Sequence, residues 1–215
     1  MNNTFLRNCL CVGVLLVGGV LGASGQDSLI PPAAYAVQGA PFSATIESVW
    51  NGNSRMVPGK SMSRVVRDAA GRQRFEMPTL EEAKVTGQSP RVLIYDPVRE
   101  KVIKLDVLRR TAVVTPMAHI GRTVKIDLEA RRGFPCKAAQ GGESLGVQWV
   151  AGLETCGLRL PGRELWLSTN YLMPLMAVKQ DTRGGTVTQT VVTLDTSEPD
   201  ENLFEVPAGY SVVRP

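Results

Sequence analysis

Apolar and polar residues alternate most cleanly between Pro41 and Trp50, where Phe42, Ala44, Ile46 and Trp50 share one parity and Ser43, Thr45 and Glu47 the other. That period of two belongs to a strand with one buried face. Met62 to Asp68 and Arg72 to Met77 flank Asp68-Ala-Ala-Gly71, which predicts a hairpin with glycine at a position of positive φ. Residues 78 to 90 break the period, and Leu80 to Val85 predicts only a helical turn, too short to anchor a core. Val92 to Tyr95, Lys101 to Asp106 and Thr111 to Thr115 predict a three-stranded meander turning at Asp96-Pro97-Val98-Arg99-Glu100 and at Arg109-Arg110.

Residues 116 to 142 lack periodicity and carry Gly133, Pro135 and Gly141-Gly142, so they predict a long surface excursion, the kind of segment in which binding often resides. Leu145 to Leu153 alternates again and predicts one strand, with Cys156 just beyond it. Arg163 to Ser168, Tyr171 to Gln180 and Thr186 to Leu194 predict three more, the last two joined through Asp181-Thr-Arg-Gly-Gly185. In Tyr171 to Val178 both parities are apolar, which implies cover on both faces, while Pro174 confines the strand to an edge or a bulge. Eight or more short strands with Gly, Pro and Asp turns predict a mainly β fold: a large curled sheet, a barrel or a sandwich.

The N-terminus has a different character. Arg7 precedes an apolar run from Cys9 to Leu21, and Ala23-Ser24-Gly25 follows it, the layout of a cleaved signal peptide over residues 1–25. The run is shorter than the roughly 20 residues a membrane-spanning helix needs, and neither Cys9 nor Cys11 sits where a lipoprotein cysteine would. The mature chain is therefore expected in the periplasm or secreted, and not as an integral membrane protein. Residues 26–40, with Pro31-Pro32, predict an extended leader, and residues 41–215 a single domain.

Export changes the reading of the cysteines. Cys136 and Cys156, 20 residues apart, are the two left after cleavage, and an oxidising compartment predicts a disulfide between them, stabilising by about 3 kcal/mol in the chain-entropy model. Removing Arg7 lowers the formal charge from +4 to +3. The basic residues are interspersed, and the pairs Arg109-Arg110 and Arg131-Arg132 stand without an aromatic-basic stripe, which argues against nucleic acid as a partner.

The chemistry-bearing residues point to binding rather than catalysis. His119 is the single histidine, and the nucleophile elbow, zinc helix, phosphate loop and dinucleotide fingerprint are all missing from the sequence, so no catalytic residue, metal site or cofactor is expected. Asp195, Glu198, Asp200 and Glu201 read as a solvated Ser-Glu-Pro-Asp loop. Trp50, Trp149, Trp166, Met173 and Met176 lie on predicted strands and are the candidate lining of an apolar ligand site, with plain core packing as the alternative for each.

The C-terminal third resembles a known family. Glu164-Leu-Trp-Leu-Ser-Thr-Asn-Tyr-Leu-Met-Pro-Leu175, Val178-Lys-Gln-Asp-Thr-Arg-Gly-Gly185 and above all Leu203-Phe204-Glu205-Val206-Pro207-Ala208-Gly209-Tyr210 resemble the closing strands of the LolA-like outer-membrane lipoprotein carrier superfamily, which ends on LF-x-x-P-x-x-Y. The chain is similar to secreted bacterial proteins sharing this ending and the hairpin at Asp96-Pro97. The resemblance implies an unclosed half β-barrel of roughly eleven antiparallel strands and a role in holding a lipid, an acyl chain or a lipoprotein. It also brings in periplasmic regulators that bind anti-sigma factors, and with them the alternative of an envelope interaction or sensor module without a small ligand. Two features depart from the carrier pattern: nothing in the sequence matches the carrier's plugging helices, and the Cys136 to Cys156 bridge is an addition.

Overall fold

The computed structural model describes residues 36–52, 59–117, 123–128, 142–168, 170–180 and 185–213. The expected signal peptide, residues 26–35 of the expected leader, His119, Arg131-Arg132, Cys136 and most of the expected turn at 181–185 lie outside them. The strands are β1 Ala36–Gln38, β2 Phe42–Asn51, β3 Lys60–Arg67, β4 Gln73–Met77, β5 Arg91–Asp96, β6 Lys101–Asp106, β7 Thr111–Pro116, β8 Thr123–Lys125, β9 Glu143–Val150, β10 Leu153–Leu160, β11 Arg163–Ser168, β12 Met173–Gln180, β13 Thr186–Asp195 and β14 Ser211–Val213.

One sheet of 12 strands runs β14-β7-β6-β5-β4-β3-β2-β13-β12-β11-β10-β9 and stays open at β14 and β9, the unclosed half-barrel that the resemblance implies. Two hairpin chains, β2 to β7 and β9 to β13, meet where β2 pairs antiparallel with β13 from Thr186↔Asn51 to Asp195↔Ser43. The sheet is not wholly antiparallel. β14 adds to β7 in parallel, and β1 and β8 form a separate parallel pair.

The meander β5-β6-β7 repeats one turn at an interval of ten residues. Asp96 accepts from the N–H groups of Val98 and Arg99, Asp106 accepts from Arg109, and Glu100 and Arg110 close the two turns at φ 51°. An aspartate at the strand end thus supplies the local acceptors that start each turn.

Pairing register sorts the side chains onto two faces. Phe42, Ala44 and Ile46 share the inner face with Val65 of β3, and with Phe75 of β4, Leu175 of β12 and Val191 of β13 they form the larger core. Phe75 meets Tyr95 edge-on at 5.6 Å. The outer face of β3 to β7 carries a second core of Val66, Val92, Ile94, Ile103, Leu105 and Ala112, closed by Phe204 from the C-terminal segment. A sheet with two apolar faces in one wing needs two covers. The second cover is the 3-10 turn Glu201–Phe204, with Leu80 at the start of α1 (Leu80–Thr86) beside it.

Several expectations change at this level. Leu145 to Leu153 is not one strand: Ala151 (φ 48°) and Gly152 (φ 78°) form a two-residue turn that folds β9 back onto β10. Alanine at positive φ gives no turn signal in the sequence. The domain begins before Pro41, because Ala36, Val37 and Ala40 are core residues. The expected helical turn after Met77 is a full helix, α1, capped by Thr79, whose Oγ accepts from the N–H of Glu82. In β12 the burial alternates, with Met173, Leu175 and Ala177 inside and Pro174, Met176 and Val178 half-buried, so its second face is only partly covered.

Candidate functional site

The inner face is where an apolar ligand would lie, and the chain occupies that face itself. β1 and β8 sit over it, placing Val37, Ala40 and Ile126 in the larger core. Their attachment is specific: the Gly39 N–H donates to the Ala69 carbonyl at 2.9 Å and the Ile126 N–H to that of Gln38 at 2.8 Å. Buried Arg67 donates to the Ala40 carbonyl at 2.8 and 3.0 Å and to that of Tyr171 at 2.6 Å, with its guanidinium 4.6 Å from the centre of the Phe42 ring. One arginine of β3 therefore ties the link between β1 and β2 to the turn before β12, its charge spread over carbonyl dipoles and an aromatic face. Gly39 is required here: it has φ 79°, and a Cβ would collide with the Ile126 carbonyl oxygen.

The five candidate lining residues do not share one surface. Met173 is 1% exposed and belongs to the inner core. Trp166 and Met176 are register partners on the outer face, in the row Gly157-Trp166-Met176-Thr190-Glu47-Met62. The Trp166 ring lies across Gly157, where a Cβ would come within 2.5 Å of it. Trp50 is half-buried at the far end of β2, opposite Val187. Trp149 stands 72% exposed on the edge strand β9, two residues from Val147 at 52%. The structure thus brings together Trp166 and Met176 and separates the other three.

Cys156 lies half-buried on β10, between Val147 of β9 and Leu167 of β11. The C-terminal carboxylates stay on the surface as expected. Glu198 accepts from the Ala69 N–H, and Asp200 caps the 3-10 turn. The backbone and side chain of Ser197 hold the Asp195 carboxyl below its usual value. No group of three or more His, Cys, Asp or Glu side chains among the described residues is arranged to hold a metal ion.

Two charged clusters escape sequence reading. The first surrounds Glu205, whose carboxylate pairs with Arg99, with Arg72 at 3.8 Å and with Lys101 at 4.0 Å. Arg72 also binds buried Asp68 at 2.5 Å and covers the Phe204 ring at 4.9 Å. The hydrogen bond from Arg99, with the charges of Arg99, Lys101 and Arg72, holds the Glu205 carboxyl below its ordinary range against the opposing effect of burial. The second is a polar cleft of about 520 Å³ on the outer face, lined by residues of β2, β3 and β13 and by Thr79 and Glu81 at the start of α1. Each cluster joins residues more than 100 positions apart, so no spacing in the sequence marks it.

No protein-family model matches the sequence, and no curated protein matches it. Solved structures do. A conserved protein from Thermus thermophilus aligns at a TM-score of 0.50 and 18% identity, over 82% of this chain and 91% of that one. A Pseudomonas aeruginosa MucA/MucB complex aligns at 0.46 and 18%, over 82% of this chain and 59% of the other. A LolA superfamily protein from Nitrosomonas europaea aligns at 0.23 and 10%, over 77% and 90%. The Thermus protein and this chain share a fold.

Proposed function

We propose that the protein is a non-catalytic binding module of the cell envelope, exported by its signal peptide, and that it meets a protein partner through the β9–β10 margin of the half-barrel. The supporting observation is the distribution of apolar surface. The inner face is packed with the chain's own Val37, Ala40 and Ile126, whereas Trp149 and Val147 stand exposed at the sheet edge. An exposed aromatic on an edge strand offers area at low entropic cost and backbone groups for an added strand.

Site-specific photo-crosslinking in the envelope tests this reading. A crosslinker at position 149 is expected to trap a discrete protein, and one at exposed Val98, on the β5–β6 turn, is not. Equal patterns at both positions would reject the margin as the docking surface.

The second reading is a carrier that takes up a lipid, acyl chain or lipoprotein on the concave face. It is favoured by the half-buried apolar rim of Leu93, Leu128, Leu160, Leu167 and Leu172 around the inner core, and by the shortness of β1 and β8, three residues each. Uptake would then displace that strand pair. Native mass spectrometry of protein purified from the periplasm separates the two: a near-stoichiometric acyl species supports the carrier, and a clean apo mass with no saturable uptake of a hydrophobic probe rejects it.

A further inference from the structure

The outer-face cleft contains an arginine that has no partner among the described residues. Arg64 projects from the middle of β3 in the row Thr193-Thr45-Arg64-Glu76, half-buried. Its neighbours on the same hairpin are all engaged: Arg67 by two carbonyls, Arg72 by Asp68, Arg74 by Glu76 at 2.7 Å and by the Leu203 carbonyl at 3.0 Å. A half-buried guanidinium loses part of its hydration, and five donors in a fixed fork are suited to a carboxylate.

Both ends of the cleft are negative, with Arg64 between them. At one end lies Asp195, whose carboxyl Ser197 holds below its usual value; Glu81 lies at the other, beyond Arg64, where the Thr79 N–H donates to the Met62 carbonyl. Ser43, Thr45 and Thr193 add hydroxyls, and Met62 and Leu194 give apolar wall. Asp195 pairs with Ser43, and Arg64 with Thr45. They therefore stand two strands and two residues apart, about 12 Å between Cα atoms at ordinary sheet spacings. An extended tripeptide spans about 10 Å, and the cleft's volume lies within the usual range for small-ligand sites. Carboxylates at both ends of the cleft disfavour a phosphate, which would face them with its own charge, and favour a ligand carrying both signs.

We infer that this cleft binds a short zwitterionic peptide, its carboxylate on Arg64 and its ammonium group toward Asp195. The site lies on the sheet face away from the inner core and apart from the β9 edge, so it stands or falls separately from the proposed partner surface.

Titration calorimetry of the mature protein with trialanine tests the inference. Saturable binding is expected, weakened at least about 10-fold by C-terminal amidation of the peptide, by its N-acetylation, and by Arg64→Gln in the protein. The modified peptides need no altered protein, so the result does not depend on how the variant folds. Absence of saturation up to about 10 mM, or equal binding of free and amidated trialanine, would overturn the assignment.

Discussion

Replacing Phe204 by alanine should be among the most damaging single changes in this chain, although the residue lies in a segment with almost no regular structure. Its side chain is 0% exposed and closes the outer-face core over Val66, Val92, Ile94, Ile103, Leu105 and Ala112. Removing a buried phenyl ring typically costs about 3–5 kcal/mol, lost transfer energy and residual cavity together. The Arg72 guanidinium above the ring loses its aromatic partner as well, a contribution of up to about 2 kcal/mol when desolvated, part of which is already contained in the larger figure. For a chain of this size about 2–4 °C of melting temperature follows each kcal/mol, so Phe204→Ala should melt roughly 6–20 °C lower. Circular dichroism melts and urea titrations of the mature protein read this directly, with the urea midpoint falling in step. A shift below about 2 °C would show that the C-terminal segment is a peripheral strap and that the outer wall of β4 to β7 tolerates solvent, which would refute the two-core description.

The hub around Glu205 gives a pH prediction. Its carboxyl is depressed in the folded chain, first by the Arg99 hydrogen bond, so its contribution is present above the unfolded value of about 4.5 and is lost as pH falls through the lowered folded value. Glu205→Gln should flatten the acid limb of the stability profile between pH 2 and 5, roughly, and an unchanged limb would exclude the hub as its source. Gly39→Ala forces a side chain into positive φ and against the Ile126 carbonyl, so it should cost about 2 kcal/mol or more in a urea titration. A loss below about 0.5 kcal/mol would mean that β1 is not fixed to β8 as described. The disulfide proposed for Cys136 and Cys156 predicts that alkylation without reductant leaves the mature protein's mass unchanged, and that reduction lowers its stability by about 3 kcal/mol. Two alkyl groups added without reductant would dismiss the bridge.

The sequence by itself determined the strands whose one face meets the core and whose turns announce themselves. β2 and the meander β5-β6-β7 are legible because side chains alternate with a period of two and because Asp96 and Asp106 provide the acceptors that start each turn. The ending from Leu203 to Tyr210 was legible as a family-like motif, and the structure gives its leucine and phenylalanine a physical task in the second core. The hairpin between β9 and β10 was not legible, because Ala151 adopts a conformation that the residue type does not advertise. Nor was the role of residues 36 to 40, whose small side chains look like linker until Gly39 and Ala40 are seen against Ile126 and Arg67. Only the tertiary structure could decide which aromatic residues meet. Trp166 and Met176 become neighbours through the β11–β12 register, Met173 turns inward, and Trp149 is left at an open edge. The same holds for the surroundings of Arg64 and of Glu205, since residues brought together from more than 100 positions apart leave no trace in spacing. Local periodicity is a property of the chain, whereas the identity of a neighbour across the sheet is a property of the register, and register exists only once both hairpin chains have met along β2 and β13.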